Sequence, residues 1–335
     1  MMNKKNFDRF FRGFHFVGCA VRSRSIIYLL GRELYDLEEG EEDPEEGDVK
    51  KLVANIFLDE PEDERYGASV LTGFRICNMA VSQHPNPHSV TIDFGGGVYV
   101  RGGGVVDTEP QILYDDDKGP QRGGVLKLRS IEGYVYGVGG RRSVCRREGF
   151  NQWAPIWNEL PLPKVKRNVE YEDYGFSDID GFSVNDLYAA GGRGDVWHFD
   201  GQCWRQIPFP SNVDLYNVCC GGDGQVYIAG SGGCLFQGRD DRWRQIDKGC
   251  TSGWFNDMVW FQDRIWATND YGIKAWSGKR MESPQLPDFV RSSTGYMAAG
   301  DGVMVVAGMY GASMHSGKEW ISLVDLLDLY ERYGR

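Results

Sequence analysis

Two imidazoles four positions apart bracket a pair of prolines in His84-Pro-Asn-Pro-His88, and in so rigid a loop they could bring two nitrogen ligands to one metal ion. No acid or thiol lies near them in sequence, so the pair lacks the further ligands that a metal site takes. The eight cysteines, at 19, 77, 145, 203, 219, 220, 234 and 250, include no Cys-x-x-Cys pair. Most fall inside apolar runs, as small buried hydrophobes do, and the neighbours Cys219 and Cys220 point to opposite faces of a strand. His198 and His315 read as packed or rim residues rather than catalysts. Gly95-Gly-Gly97 and Gly102-Gly-Gly104 lack the Lys-Ser/Thr of a phosphate loop and open no helix. These residues predict no catalytic constellation, no metal and no cofactor.

Carboxylates are the more informative chemistry. The formal net charge is −11, and Asp36–Asp48 holds nine acids in thirteen positions, among them Glu38, Glu39, Glu41, Glu42, Asp43, Glu45 and Glu46. A second run, Asp59-Glu-Pro-Glu-Asp-Glu64, follows. Such segments repel themselves too strongly to be core. One reading is a solvated loop that keeps the chain soluble; the other is a steering surface for a basic partner. Both disfavour DNA or RNA. Asp115-Asp-Asp117 and Glu170-Tyr-Glu-Asp-Tyr174 are further acidic insertions, and acid interleaved with tyrosine suits protein contact, because Tyr brings a large area at low entropy cost.

The elements that must position these loops follow from a repeat. Tyr188-Ala-Ala-Gly-Gly-Arg-Gly-Asp-Val-Trp197 returns 39 positions later as Tyr227-Ile-Ala-Gly-Ser-Gly-Gly-Cys-Leu-Phe236, and Trp204-Arg-Gln-Ile207 as Trp243-Arg-Gln-Ile246. A period near 40 with several short strand-like runs and turn glycines predicts an all-β fold, a β-propeller of four-stranded antiparallel blades. Units starting near Phe176, Leu215, Trp254 and Ser293 share one register; the run from Val125 to Ile156 has the same four-part layout and is followed by an insertion. Two less regular units lie upstream. The expectation is a single domain over residues 1–335 with blades at 14–60, 74–115, 125–160, 176–210, 215–249, 254–287 and 293–318, six blades and an irregular cap being the alternative. Asp200-Gly201 and Asp223-Gly224 are then hairpin turns and not ligands.

The 45 glycines, 17 Phe, 17 Tyr and 10 Trp fit that architecture, in which glycine makes tight turns and aromatics fill the space between twisted blades. Apolar runs fall far short of the roughly 20 residues that cross a membrane. Asp8, Arg9 and Arg12 interrupt any secretory stretch, so a cytoplasmic location is expected. Phe7, Phe10, Phe11 and Phe14 instead predict a short amphipathic helix near 5–13, and Ile321, Val324 and Leu327 predict another near 319–332.

Asp186-Leu-Tyr-Ala-Ala-Gly-Gly-Arg-Gly-Asp-Val-Trp-His-Phe-Asp-Gly-Gln-Cys-Trp204 resembles the tryptophan-rich propeller repeat of many bacterial proteins. That resemblance implies a propeller and no reaction; free-standing propellers of this sort are similar to interaction scaffolds, including immunity proteins that block the toxins of neighbouring bacteria. Thr268-Asn-Asp-Tyr-Gly-Ile-Lys-Ala-Trp276 is similar to the Asp-box of sialidase propellers, with its tryptophan one residue too far from Gly272. Propeller lyases and lactonases work through carboxylates or histidines in the central channel, whereas the inner strands here read as apolar or small.

The expected function is therefore non-catalytic protein binding, in its most specific form an immunity protein that neutralises a toxin with a basic surface. A glycan-binding lectin, or a propeller glycoside hydrolase or lyase, is the alternative. Loops that join an outer strand to the next inner one share a rim with those between second and third strands. On that rim Tyr171, Glu172, Asp173, Tyr174, Arg193, Asp195, Trp254, Asp270, Tyr271 and Tyr310 are the expected contact residues.

Overall fold

Residues 2–37, 40–115, 118–157, 159–163, 175–249 and 251–334 are described by the structure, a computed structural model of the chain. Their strands form seven four-stranded antiparallel sheets, each of four consecutive strands. Blade one holds β1 (Phe14–Ser23), β2 (Ile26–Glu33), β3 (Lys51–Phe57) and β4 (Tyr66–Leu71); blade two holds β5 (Cys77–Ser82), β6 (His88–Asp93), β7 (Val98–Gly102) and β8 (Val105–Glu109). Blade three is β9 (Val125–Ile131), β10 (Tyr134–Gly139), β11 (Ser143–Gly149) and β12 (Gln152–Pro155); blade four is β13 (Asp178–Ser183), β14 (Asp186–Gly191), β15 (Asp195–Phe199) and β16 (Trp204–Gln206). Blade five comprises β17 (Leu215–Cys220), β18 (Val226–Gly230), β19 (Leu235–Arg239) and β20 (Arg242–Asp247). Blade six comprises β21 (Asp257–Phe261), β22 (Arg264–Asn269), β23 (Gly272–Trp276) and β24 (Met281–Glu282), and blade seven β25 (Gly295–Gly300), β26 (Val303–Gly308), β27 (Gly311–His315) and β28 (Trp320–Asp325). The first strands β1, β5, β9, β13, β17, β21 and β25 are neighbours around an axial channel, and β25 beside β1 closes the ring. The fold is a seven-bladed β-propeller.

Burial explains the repeated motif. The second strand of a blade is covered on both faces by adjoining blades, so β26 (Val-Met-Val-Val-Ala-Gly) is buried throughout and reads as a continuous apolar run. The peripheral β20 (Arg-Trp-Arg-Gln-Ile-Asp) is largely wet. The glycine that ends the Tyr-x-Ala-Gly motif has a separate cause: a Cβ on Gly191 would overlap the carbonyl oxygen of Gly175, and one on Gly230 would come within 2.7 Å of that of Asp214. The segment arriving from the preceding blade crosses the strand end there, and only glycine leaves it room. Asp200-Gly201 and Asp223-Gly224 form the anticipated turns, with Gly201 at φ +89° and Gly224 at φ +78°.

The seam between blades one and seven is closed by the chain ends. Helix α1 (Lys4–Phe10), capped by the Asn3 side chain, and helix α3 (Leu326–Tyr333), capped by Asp325, bury Phe7, Phe11, Leu326 and Leu329 in one cluster with Ile56, Val303 and Leu323. Phe7 meets Tyr330 edge to face at 5.1 Å, and the Tyr330 hydroxyl accepts the Gly13 amide at 2.8 Å. A short helix α2 (Asp288–Arg291) precedes β25.

Three boundaries differ from the sequence expectation. The first blade extends to Leu71 rather than residue 60, because the acidic run after Phe57 is the turn between β3 and β4. The N-terminal helix stops at Phe10. At the other end Trp320–Asp325 pairs with β27 as an outer strand, so the C-terminal helix starts only after the Asp325 cap.

Candidate protein-binding face

In an antiparallel four-stranded meander, the connection between second and third strands and the one leaving the fourth emerge at the same end. The propeller thus has one rim built of these two sets of loops, and the remaining hairpins lie at the opposite end. Among the described residues the large exposed apolar side chains divide unevenly between the two. The rim loops carry Leu34, Tyr35 and Leu37 on blade one, Ile76 before blade two, Leu113 and Tyr114 before blade three, Leu162 before blade four, Trp254 and Tyr271 on blade six, and Met309 and Tyr310 on blade seven; at the opposite end Phe150 lies in a hairpin, Val105 and Val106 follow the β7–β8 turn and Ile321 follows the β27–β28 turn, while Val70, Leu126 and Leu327 lie on strands and a helix. Contiguous exposed apolar patches on a folded chain are candidate contact surfaces.

The anticipated residues fall on this rim where they are described. Tyr271, in the β22–β23 turn, is 90% exposed. Trp254 is half exposed, and its indole lies against the Tyr216 ring with centroids 5.1 Å apart and planes 21° apart, so the neighbouring blade fixes its orientation. Asp270 accepts the Asn256 side-chain amide at 2.8 Å and its carbonyl accepts the Thr294 hydroxyl at 3.2 Å, which pins the turn that presents Tyr271. Tyr310 occupies the equivalent turn of blade seven, and Arg193 that of blade four, its side chain 82% exposed and 3.9 Å from Asp214. Asp195 has a different role: its carboxylate takes two bonds from Arg142, at 2.7 and 2.9 Å, and one from the Trp197 indole at 2.9 Å. Tyr171, Glu172, Asp173 and Tyr174 lie outside the described residues, as do Glu38 and Glu39. Sequence reasoning passed over Tyr216 and Met309, although Met309-Tyr310 repeats Asp270-Tyr271 at the 39-residue period.

The acidic loop springs from the same rim between β2 and β3. Glu41, Glu42, Asp43 and Glu45 are exposed. Glu46 is not equivalent to them: it forms a two-point pair with Arg32, at 3.1 and 2.8 Å, and lies 3.1 Å from the buried Lys51 ammonium. The hydrogen-bonded Arg32 guanidinium holds its pKa below the ordinary glutamate value. The Tyr35 hydroxyl donates to Asp43 at 3.2 Å. The loop is thus tied down through Glu46 and Asp43, and the side chains of Glu42 and Glu45 are exposed.

The axial channel corrects the expectation of apolar inner strands. Lys127 pairs with Asp257 across the ring, and Arg129 makes a two-point pair with Asp178 at 2.9 and 2.6 Å. Asp178 also accepts the Val218 amide at 3.0 Å, and Asp257 the Met297 amide at 3.1 Å, so each aspartate ties its blade to the next. Asp180 lines the cavity of about 260 Å³ in the channel and accepts the Cys220 amide at 2.7 Å. Desolvation raises its pKa to about 6 against the opposing pull of Arg129. A charge on alternate positions of an inner strand looks unremarkable in sequence; only ring closure brings blades three, four and six together.

His84 and His88 have separate surroundings. His84 lies against the Tyr134 ring at 4.9 Å, and His88 is buried beside Arg147, with its pKa lowered to about 4 chiefly by desolvation. The seven described cysteines are all unpaired, and Cys203 is the exposed one among them. Among the described residues, no group of three or more His, Cys, Asp or Glu side chains is placed to hold a metal ion, and no helix is long and apolar enough to cross a membrane.

No family model matches the chain. Over 247 residues, 74% of this chain and 79% of the other, it is 27% identical to the immune protein Tsi7 of Pseudomonas aeruginosa PAO1. Among solved structures, the WD40 β-propeller domain of Doa1 superposes with a TM-score of 0.57, covering 89% of this chain and 95% of that one at 10% identity. The second likeness is one of fold alone.

Proposed function

We propose that this protein is a non-catalytic scaffold of the reducing cytoplasm that binds a toxin through the rim and neutralises it. The observation that carries this reading is the gathering of exposed apolar side chains on the rim, with Trp254 and Tyr271 in front and the acidic loop rising from the same end. Aromatic anchors inside a polar surround are the usual source of binding energy in protein contacts. The exposed carboxylates of Glu41, Glu42, Asp43 and Glu45 favour a partner with a basic surface, whose encounter they would accelerate. Support for the toxin comes from the likeness to Tsi7, which is named an immune protein. The unpaired cysteines support the reducing location.

The reading is tested by co-expressing this chain in a sensitive host with a candidate toxin encoded beside it. Survival and a complex that co-elutes on size exclusion are expected. Binding that leaves the toxin active, or rescue without a complex, would reject it. Turnover of a glycoside by the purified protein would move it to the enzymes.

A further inference from the structure

A groove of about 910 Å³ lies between blades five and six at the end away from the rim, among the turn before β18, the turn before β22 and the turn before β24. Its lining is cationic although the chain as a whole carries a formal net charge of −11. Arg244, Arg264 and Lys279 line it, and among the described residues none of the three pairs with a carboxylate. Trp260 and Trp276 line it as well, and their indole N–H groups bind no acceptor among the described residues. The Trp157, Trp197, Trp204, Trp243 and Trp266 indoles each donate inside the protein, while the buried Trp153 N–H, like those of Trp260 and Trp276, has no acceptor among the described residues.

The donors are held in place. Asp223 accepts the Tyr227 hydroxyl at 2.7 Å, that oxygen accepts the Gln237 amide at 3.0 Å, and the Gln237 carbonyl accepts Arg244 at 2.9 Å. Arg264 sits over the Trp266 ring at 4.4 Å. The relay satisfies the Asp223 carboxylate from within, so Asp263 is the other acid facing three cations. A donor-rich, cationic and partly aromatic trough matches an occupant rich in anionic acceptors.

We propose that this groove binds an extended acidic segment of a protein partner. Its carboxylates would meet Arg244, Arg264 and Lys279, and its apolar side chains would rest on the Trp260 and Trp276 indoles. The lining, with three cations, two carboxylates and several amides and hydroxyls, is too polar for a compact apolar ligand.

Fluorescence anisotropy with three labelled short peptides, alternating Glu/Leu, Gln/Leu and Lys/Leu, tests this on the full chain. The Glu/Leu peptide should bind at least about tenfold tighter than the Gln/Leu peptide, and added salt should erase the difference. Arg244→Gln and Lys279→Gln should each weaken it severalfold, and Tyr271→Ala on the far rim should leave it unchanged. Lys279 is in an exposed turn, so its variant folds even where an Arg264 variant does not. Equal binding of the three peptides, insensitivity to both groove variants, or loss in Tyr271→Ala would overturn the proposal. So would tight binding of ADP in place of peptide. Loss in Tyr271→Ala would bear on the rim reading as well; the other failures leave the rim and its toxin untouched.

Discussion

Asp178 in blade four takes two hydrogen bonds from Arg129 of blade three, at 2.9 and 2.6 Å, while one of its oxygens also accepts the Val218 amide of blade five at 3.0 Å. One fully buried carboxylate thus joins three blades at the channel wall. Removing it strands the Arg129 guanidinium and an inner-strand amide. Asp178→Ala should therefore cost about 3–5 kcal/mol, measured by urea unfolding. Joint replacement of Arg129 by Met and Asp178 by Leu should cost less, since neither partner of that pair is then stranded; the remaining cost is read in Asp180, which loses the pull of Arg129.

Asp180 makes the channel sensitive to pH. Its folded pKa of about 6 stands above the ordinary 3.8, so between those values the native state holds a proton that the unfolded chain has lost. The associated stability is full below 3.8 and disappears as pH rises through about 6. Asp180→Asn should gain on the wild type across that window, by on the order of 2 kcal/mol. His88, lowered to about 4, acts in the opposite sense and is present in both proteins, so the difference between their unfolding midpoints isolates Asp180. A gap that does not change from pH 4 to pH 7 would contradict the assignment.

On the rim, stability and binding should separate. Tyr271 is 90% exposed, and Tyr271→Ala should change stability by less than about 0.5 kcal/mol. Trp254→Ala removes the stack on Tyr216 and should cost about 0.5–1.5 kcal/mol. If the rim binds the toxin, either variant should lower its affinity at least about tenfold, read as a faster off-rate by surface plasmon resonance.

The acidic loop should divide into two functions. Changing Glu41, Glu42, Asp43 and Glu45 to amides should leave the melting temperature unchanged, slow association and flatten its dependence on salt. Glu46→Gln should instead lower stability, by roughly 1 kcal/mol for this mostly buried pair with Arg32. An equal effect of all five positions on association alone would refute the distinction.

At the seam, Phe7→Ala should cost about 3–5 kcal/mol, since the ring is fully buried against Tyr330 and Tyr333. Limited proteolysis should then cut first near the chain ends, where no shared blade holds blades one and seven together.

The 39-residue spacing of Tyr188 and Tyr227, and of Trp204 and Trp243, was enough to read the sheets because each blade must solve the same packing problem with the same residues. The turns at Asp200-Gly201 and Asp223-Gly224 were equally legible, as positive φ demands a narrow choice of residue. The outer strand after the acidic run at Asp59–Glu64 was not, because Tyr66–Leu71 matches no other blade closely. Met309-Tyr310 was half seen: Tyr310 stood out, but its neighbour shares the exposed turn.

Local order in this protein is written in short-range patterns: strand length, turn chemistry, apolar runs and the acidic loop all follow from residues within about 40 positions of one another. What Lys127, Arg129 and Asp257 do was decided only in three dimensions. They stand up to 130 positions apart along the chain, and closure of the ring sets them in one desolvated channel. Arg244, Arg264 and Lys279 lie within 35 positions of one another, yet they come from different strands and turns and share a groove only because two blades lie side by side. Charge pairing and surface grouping depend on distance through space, and a linear sequence does not carry that distance.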